Sequence, residues 1–189
     1  MERAVLALNA CLGLSARTVL DIGSGDGWYA DQFRAAGFSV TTVDYLDSAD
    51  MVGNYLDLQP GRHDLIWCSH VLEHQPNVGM FLQKCFADLH DGGWICLTVP
   101  PAKSEIVGGH LTIWNAGLLL YNMILAGFDC GSASVKRYGY NISVLVRKVR
   151  AELPPLAYDF GDIERLAKFF PFDAKQGFDG DIGGINWPN

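Results

Sequence analysis

The sequence predicts an α/β fold in which helices cover both faces of a mostly parallel sheet. Short apolar runs at 18–22 and 64–68 have the continuous hydrophobicity of strands that are buried on both faces. They alternate with segments at 26–36 and about 77–89 whose apolar residues recur at helical spacing. Because a helix between two neighbouring strands forces a parallel crossover, the alternation predicts a three-layer, doubly wound (Rossmann-like) sheet.

The same signals continue along the chain. Further elements are predicted as a helix at 2–13, strands at 38–43, 94–99, 128–137 and 141–147, and a helix at 115–126. Asn115 is a plausible N-cap of that last helix, and Gly127 marks its end. The final two strands are joined near Gly139 by a link too short for a helix, so they are predicted to be antiparallel.

Length and composition indicate one domain. The chain has 189 residues, and residues 1–149 are expected to form the domain. Residues 150–189 are rich in Pro, Gly, Asp and aromatic side chains. We expect them to form a tail packed on the same domain, with one short helix near 162–169.

Charge and cysteine usage exclude several classes of partner. The formal net charge is -7, which disfavours nucleic acid as a ligand, and no apolar stretch approaches the roughly 20 residues that span a bilayer. Five cysteines are present and none has Cys-x-x-Cys spacing, so no zinc site is expected from them. An odd cysteine count without a signal peptide predicts a cytoplasmic protein, and a homodimer is a possible assembly.

A glycine-rich loop between a predicted strand and a predicted helix is the sharpest local signal. It reads Asp-Ile-Gly-Ser-Gly-Asp-Gly over residues 21–27. Glycine permits the tight turn and lets a ligand approach the backbone, while the following helix points free N–H groups at that ligand. Asp44 ends the next strand, where its carboxylate can accept hydrogen bonds from both hydroxyls of a ribose.

Two classes of nucleotide cofactor fit this arrangement. Dinucleotide-binding loops favour Gly-x-Gly-x-x-Gly, but the third glycine of that pattern falls on Trp28. A carboxylate at Asp21 would also repel a pyrophosphate, whereas it suits a cofactor with a positively charged amino acid end. The second class is therefore favoured, and an NAD-dependent oxidoreductase remains an alternative.

Four segments resemble the motifs of class I S-adenosylmethionine-dependent methyltransferases. Residues 19–27 are similar to the first motif, and Val43-Asp44 to the second acidic position. Residues 63–74 resemble the fourth-strand motif of the small-molecule branch that includes ubiquinone-biosynthesis enzymes, and 91–95 the turn into the fifth strand. The resemblance implies a seven-stranded sheet with an antiparallel last strand, and S-adenosyl-L-methionine as cofactor.

The resemblance also implies which residues bind that cofactor. The implied positions are Asp21, Gly23, Ser24, Gly25, Asp44, Tyr45, Asn54, Tyr55, Ser69 and His70. The glycine-loop backbone would contact the methionine part and the ribose, with Asp21 near the ammonium group. Asp44 would bind the ribose hydroxyls, and Tyr45 with the Asn54-Tyr55 pair would face the adenine. Ser69 and His70 would line the sulfonium side.

Two histidines are the candidate catalytic residues. A methyl acceptor that is a hydroxyl or a protonated amine needs a general base, and histidine suits that role near neutral pH. His74 is the last residue of the fourth-strand motif, and His110 lies in the loop 100–114, which also contains Trp114 as a candidate cover for the acceptor. No metal site is expected, because the sequence has no Asp-Asn-Asn type of cluster.

These observations predict a methyltransferase that acts on a small molecule. A sugar or polysaccharide precursor is one candidate acceptor. The alternative from another class is a catalytically inert domain that binds S-adenosylmethionine as a partner or regulatory subunit.

Overall fold

The computed structural model of the protein describes residues 3–188. It contains an eight-stranded sheet with helices on both sides. The strands are β1 (Thr18–Ile22), β2 (Ser39–Asp44), β3 (Met51–Val52), β4 (His63–Ser69), β5 (Leu89–Val99), β6 (Ser134–Tyr138), β7 (Asn141–Arg147) and β8 (Gly184–Ile185). The order across the sheet is β3-β2-β1-β4-β5-β7-β6-β8.

Strand directions confirm the predicted α/β class. β3, β2, β1, β4 and β5 are parallel, and β7 is antiparallel to both of its neighbours, β5 and β6. The expected count of seven strands is wrong by one, because two residues of the tail form β8 on the outer side of β6. The predicted antiparallel strand is β7. β8 pairs antiparallel with β6 and was not predicted.

Five helices flank the sheet. They are α1 (Val5–Leu12), α2 (Trp28–Ala35), α3 (Val78–Ala87), α4 (Ala116–Leu125) and α5 (Asp162–Leu166). Side chains of β4 alternate between two buried clusters, as a strand with period two requires. Leu65 and Trp67 pack in the cluster that contains α1 and α2, whereas Ile66 and Cys68 pack in the cluster that contains α3 and α4. The doubly wound, three-layer prediction is therefore confirmed.

Two predicted boundaries are wrong. The strand predicted from residue 128 begins only at Ser134, because Phe128 and Cys130 are buried by packing in the core while a turn closes from Cys130 O to Ala133 N. β5 starts at Leu89, so the segment 91–93 lies within that strand and is not a turn before it. The pairing of β4 with β5 shifts register there, between His63 and Leu65.

The tail packs against α4 as well as against β6. The backbone N–H of Gly117 donates to the carbonyl of Gly180 at 2.9 Å. A Cβ at Gly117 would lie 2.6 Å from Cε2 of Phe178, so this approach requires glycine. Phe178 packs in turn on Phe170 and Phe172, with ring centroids 5.5 and 5.1 Å away. The short helix predicted near 162–169 is present as α5 and the 3₁₀ turn Ala167–Phe169.

Candidate functional site

A cleft opens at the carboxyl ends of β1, β2 and β4. Its volume is about 280 Å³. Parallel strands present their carboxyl ends at one edge of the sheet, and the strand order reverses direction beside β1, which is where doubly wound folds bind ligands. The cleft is lined by Ile22, Gly23, Val43, Asp44, Tyr45, Gly53, Asn54, Tyr55, His70, Val71, His74, Gln75 and Phe81.

The glycine-rich loop is wrapped tightly around the end of β2. Gly23, Gly25 and Gly27 all have positive φ, at 74°, 54° and 78°. The N–H of Gly23 donates to the carbonyl of Val43 at 2.8 Å. A Cβ at Gly23 would lie 2.2 Å from Cγ2 of Val71, which lies just after β4. Glycine is therefore required at position 23 by conformation and by space.

Asp44 connects this loop to the end of β2. Its Oδ2 accepts a hydrogen bond from the N–H of Gly25 at 2.8 Å, and its Oδ1 accepts one from the N–H of Leu46 at 3.1 Å. The carboxylate is half-buried and faces the cleft. Both oxygens keep lone pairs beyond these two bonds, so Asp44 can accept further hydrogen bonds from a ligand.

Asp21 lies beneath the loop and is 1% exposed. Burial is the main cause that raises the pKa of this carboxyl to about 7; the nearby Asp44 carboxylate acts in the same direction, and Arg34 acts against both. Its Oδ2 is buried without a hydrogen-bond partner among residues 3–188. A buried carboxyl with a free oxygen is costly, and a positively charged ligand group would relieve that cost.

The residues predicted for the adenine side have mixed geometry. Tyr45 lines the cleft with its side chain largely exposed. Asn54 caps the 3₁₀ turn Tyr55–Asp57 by accepting from the N–H of Leu56, and its Nδ2 donates to Asp57. The Tyr55 hydroxyl donates to Asp88 at 2.9 Å, so its ring and not its hydroxyl faces the cleft.

A buried polar network lies at the end of β4. His70 has a positive φ of 58°, and its Nδ1 lies 3.1 Å from Oε1 of Glu73. Its Nε2 lies 2.9 Å from Oδ1 of Asn141 on β7. Burial alone lowers the pKa of His70, but hydrogen bonds to Glu73 and Asn141 outweigh burial, and the net pKa is raised. Ser69 does not line the cleft, and its buried Oγ has no hydrogen-bond partner within residues 3–188.

The two candidate catalytic histidines meet at the boundary of a second pocket. The rings of His74 and His110 are 5.0 Å apart and nearly perpendicular. His74 lines the cleft, whereas His110 lines a smaller pocket with Pro100, Lys103, Thr112 and Tyr140, among others. Trp114 is 2% exposed and belongs to the core, so the interpretation of it as a cover for the acceptor is wrong.

Two backbone hydrogen bonds and one side-chain contact hold the loop 100–114 against the 3₁₀ turn Leu72–His74. The N–H groups of Leu111 and Thr112 donate to the Glu73 carbonyl at 2.7 and 3.3 Å. Nδ1 of His74 lies 2.7 Å from the carbonyl oxygen of Gly109. Glu73, His74 and His110 thereby have donor atoms within 4.8 Å of one another, a grouping absent from the sequence-based expectations.

Most of the predicted site residues converge. Six of the ten predicted cofactor residues line the cleft, namely Gly23, Asp44, Tyr45, Asn54, Tyr55 and His70. Asp21, Ser24, Gly25 and Ser69 are not among the residues that line it. The predicted site residues did not include Val71, Glu73 or Asn141. Val71 and Glu73 had a local signal, since both lie in the fourth-strand motif at 63–74, whereas Asn141 had none.

Comparison with known proteins shows to which family the sequence is similar. The pattern that defines a methyltransferase-domain family matches residues 2–126. The ubiquinone biosynthesis O-methyltransferase of Nitrosomonas europaea is 32% identical over 44% of this chain and 43% of that enzyme. The enzyme of the same name from Bordetella bronchiseptica is 28% identical over 43% of this chain and 42% of its own length. The chain thus matches less than half the length of these relatives.

Solved structures share the fold. A SAM-dependent methyltransferase from Archaeoglobus fulgidus superposes with a TM-score of 0.64 at 16% identity, over 77% of this chain and 92% of the other. The 1,6-didemethyltoxoflavin-N1-methyltransferase of Burkholderia thailandensis, solved with bound 1,6-didemethyltoxoflavin and S-adenosylhomocysteine, superposes with the same TM-score at 19% identity, over 77% of each chain. With its sheet order, its glycine-rich loop and a family match over most of its length, the chain belongs to the methyltransferase-domain family.

Proposed function

We propose that this protein is an S-adenosylmethionine-dependent methyltransferase that acts on a small molecule. The observation that carries the proposal is the cleft beside β1, where the glycine-rich loop and Asp44 form one wall. Its volume of about 280 Å³ is close to the lower end of small-ligand pockets, roughly 300–1,000 Å³. Membership of a methyltransferase family supports the same conclusion.

The residues around the cleft fit this cofactor in charge and hydrogen bonding. Asp44 can accept from ribose hydroxyls while it keeps its bond to the N–H of Gly25. The free oxygen of Asp21 suits an ammonium group, directly or through water, and would disfavour a pyrophosphate. Trp28, the first residue of α2, stands where a dinucleotide-binding loop would have its third glycine.

The cofactor supplies a methyl group that is already activated on a sulfonium. The chain's own contribution is therefore alignment and exclusion of water, which can provide much of the rate. Val71 and His70 line the cleft on the β4 side, where they would help to exclude water from a bound cofactor. His74 and His110 lie between the cleft and the smaller pocket, where either ring could accept a proton from an acceptor hydroxyl.

The relatives support an acceptor that is a small molecule. Two of them are named as ubiquinone biosynthesis O-methyltransferases, and one structural neighbour was solved with 1,6-didemethyltoxoflavin. A hydroxyl acceptor accords with histidines at the entrance of the smaller pocket. None of these relatives supports the sugar or polysaccharide precursor. The expected homodimer, the cytoplasmic location and the division into domain 1–149 and tail 150–189 also stay predictions.

Calorimetric titration of the purified protein tests the proposal. S-adenosylmethionine and S-adenosylhomocysteine should bind to the wild type and to Asp47→Ala, an exposed aspartate in the next loop, but not to Asp44→Ala. No binding of either compound to the wild type would contradict the proposal. Binding of NAD alone would indicate an oxidoreductase. Binding without turnover across a panel of phenolic acceptors would favour the inert partner or regulatory subunit.

A further inference from the structure

Glu73, His74 and His110 form a cluster of three metal-ligating side chains between the cleft and the smaller pocket. Their donor atoms lie within 4.8 Å of one another. Glu73 is fully buried, His74 is exposed and His110 is half-buried, so the cluster has a buried floor and an open side. Two histidines with one carboxylate are a common ligand set of catalytic zinc sites, and they leave a coordination position for a further oxygen.

The hydrogen bonding of His74 fixes which of its nitrogens is available. A carbonyl oxygen only accepts hydrogen bonds, so Nδ1 of His74 carries the proton that it donates to Gly109. The lone pair of a neutral ring then lies on Nε2, 3.8 Å from Oε1 of Glu73. Metal-binding histidines usually donate their other N–H to a carbonyl or carboxylate in this way.

Nε2 of a neutral His74 and Oε1 of Glu73 are both acceptors, so a proton or a metal ion is needed for an attractive contact between them. Ligands about 2.1 Å from a tetrahedral metal ion are about 3.4 Å apart, which is close to the 3.8 Å between Nε2 of His74 and Oε1 of Glu73. A proton on His74 would also satisfy this pair. His110 adds a nitrogen donor within the same 4.8 Å, which a bound proton does not need and a metal ion uses.

Glu73 provides an independent indication. Its side chain is 0% exposed, and its Oε2 has no hydrogen-bond partner within residues 3–188. A buried carboxylate oxygen without a partner is costly, and coordination of a cation is one way to remove that cost. Oε1, the oxygen that lies 3.8 Å from Nε2 of His74, is also 3.1 Å from Nδ1 of His70. That contact orients the carboxylate and leaves Oε1 a second lone pair.

We propose that Glu73, His74 and His110 bind a divalent transition-metal ion, with Zn²⁺ as the first probe. Imidazole and carboxylate ligands suit zinc and neighbouring metals better than they suit calcium. His110 also lines the smaller pocket with Lys103 and Tyr140, so a ligand in that pocket would have access to the ion.

The role of this ion in methyl transfer rests on the proposed function. An acceptor hydroxyl bound at the open position would lose its proton to solvent more readily. The acceptor oxygen would then form the new bond to the methyl carbon as the carbon–sulfur bond breaks, and the electron pair of that bond would stay on sulfur. His74 and His110 would act in this step as ligands and not as bases.

Zinc binding by the chelator-treated, dialysed protein tests the site without an activity assay. Calorimetry should show one equivalent bound by the wild type, with affinity about ten-fold or more lower in His110→Ala and His74→Ala. His90→Ala, which removes an exposed histidine elsewhere, should bind like the wild type. All five cysteines are buried, so surface thiols should not compete for the ion.

Substitution of cobalt(II) should add visible absorption bands of a nitrogen- and oxygen-ligated ion, which His110→Ala should lose. His110 is half-buried and its variant should fold, whereas Glu73→Gln alters a buried group and is the secondary variant. Equal zinc affinity in wild type and His110→Ala, or an equal loss in His90→Ala, would overturn the site. Loss of S-adenosylmethionine binding with zinc binding intact would instead count against the proposed function.

Discussion

The carboxylate of Asp44 accepts a hydrogen bond from the backbone N–H of Gly25 at 2.8 Å. The residue predicted to recognise the ribose is thus also a structural tie between the end of β2 and the glycine-rich loop. Its second oxygen makes a similar bond to the N–H of Leu46 at 3.1 Å. Asp44 therefore shapes the cleft before any ligand enters it.

Asp44→Ala should lower the free energy of unfolding even without ligand. Hydrogen bonds to a charged group contribute about 1.5–3 kcal/mol each, and partial replacement by water makes a total loss of about 2 kcal/mol the expected result. Urea denaturation of the ligand-free protein measures the change. Asp47→Ala should stay within about 0.5 kcal/mol of the wild type. Equal free energies of unfolding for the wild type and both variants would show that the hydrogen bonds of Asp44 do not stabilise the protein.

Gly23 and Gly25 should differ in their tolerance of alanine. Both have positive φ, so each substitution carries a strain of about 1–2 kcal/mol. At Gly23 the new Cβ would also lie 2.2 Å from Cγ2 of Val71, whereas nothing lies within 4 Å at Gly25. Gly23→Ala should therefore lower the free energy of unfolding by about 1 kcal/mol more than Gly25→Ala does.

The double variant Gly23→Ala with Val71→Ala separates the two causes. It should recover the steric part of the loss measured for Gly23→Ala and leave the conformational part. Thermal or urea unfolding of the four proteins measures this coupling. If Gly25→Ala proves the more damaging of the two single variants, the close approach of Gly23 to Val71 is not what restricts this position.

Asp21 should make stability depend on pH. Its pKa is raised by burial to about 7 in the folded protein, against an ordinary value of 3.8, so the folded state binds the proton more tightly. The contribution of Asp21 to the free energy of unfolding is fully present below about pH 4, falls as pH rises, and is lost above about pH 7. Between about pH 5 and about pH 8 the loss should be about 2–3 kcal/mol.

Asp21→Asn should remove this dependence, since an amide does not titrate. Urea denaturation of both proteins across the pH range gives the difference curve, and parallel curves would contradict the assignment. If the ammonium group of the cofactor pairs with Asp21, binding near neutral pH should release a proton. Calorimetry in buffers with different ionisation enthalpies detects that release.

Gly117→Ala should detach the tail from α4. The added Cβ would lie 2.6 Å from Cε2 of Phe178 and 2.7 Å from Cα of Gly180, so one side must move. We expect faster proteolysis within 170–185 at low protease concentration, with stability lowered by about 1–3 kcal/mol. Gly183→Ala has open space around its Cβ and is the matched control. Equal cleavage rates would show that the tail does not depend on this contact.

The fold could be predicted because its signals are local and periodic. Buried strands such as β1 and β4 are continuous apolar runs, and α4 carries its own N-cap, since Asn115 accepts from the N–H of Leu118 at 2.8 Å. β8 has no such signal, because it is two residues long and exists only through pairing with β6. The strand was predicted to include 128–133 because apolar side chains recur there. These side chains are buried in the core, but the backbone of this segment does not pair as part of β6.

In the candidate site, too, some residues could be predicted from local signals and others could not. Asp44 and the glycine-rich loop were predictable because strand ends and glycine spacing are visible in the sequence. Asn141 contacts His70, although the two residues are 71 positions apart in the sequence, and nothing near either residue indicates that pairing. The three-residue cluster around Glu73 depends on where the loop 100–114 folds back, which spacing alone does not determine.

The position of β8 has a consequence for how copies of this chain can meet. Val135 and Lys136 of β6 pair with Ile185 and Gly184, so tail residues cover part of what would otherwise be the outermost strand. At the opposite border β3 is also only two residues long. Long bare edges invite strand-to-strand association, and short edges discourage it. Self-association should therefore use helix or loop surfaces, and not a continuous intermolecular sheet.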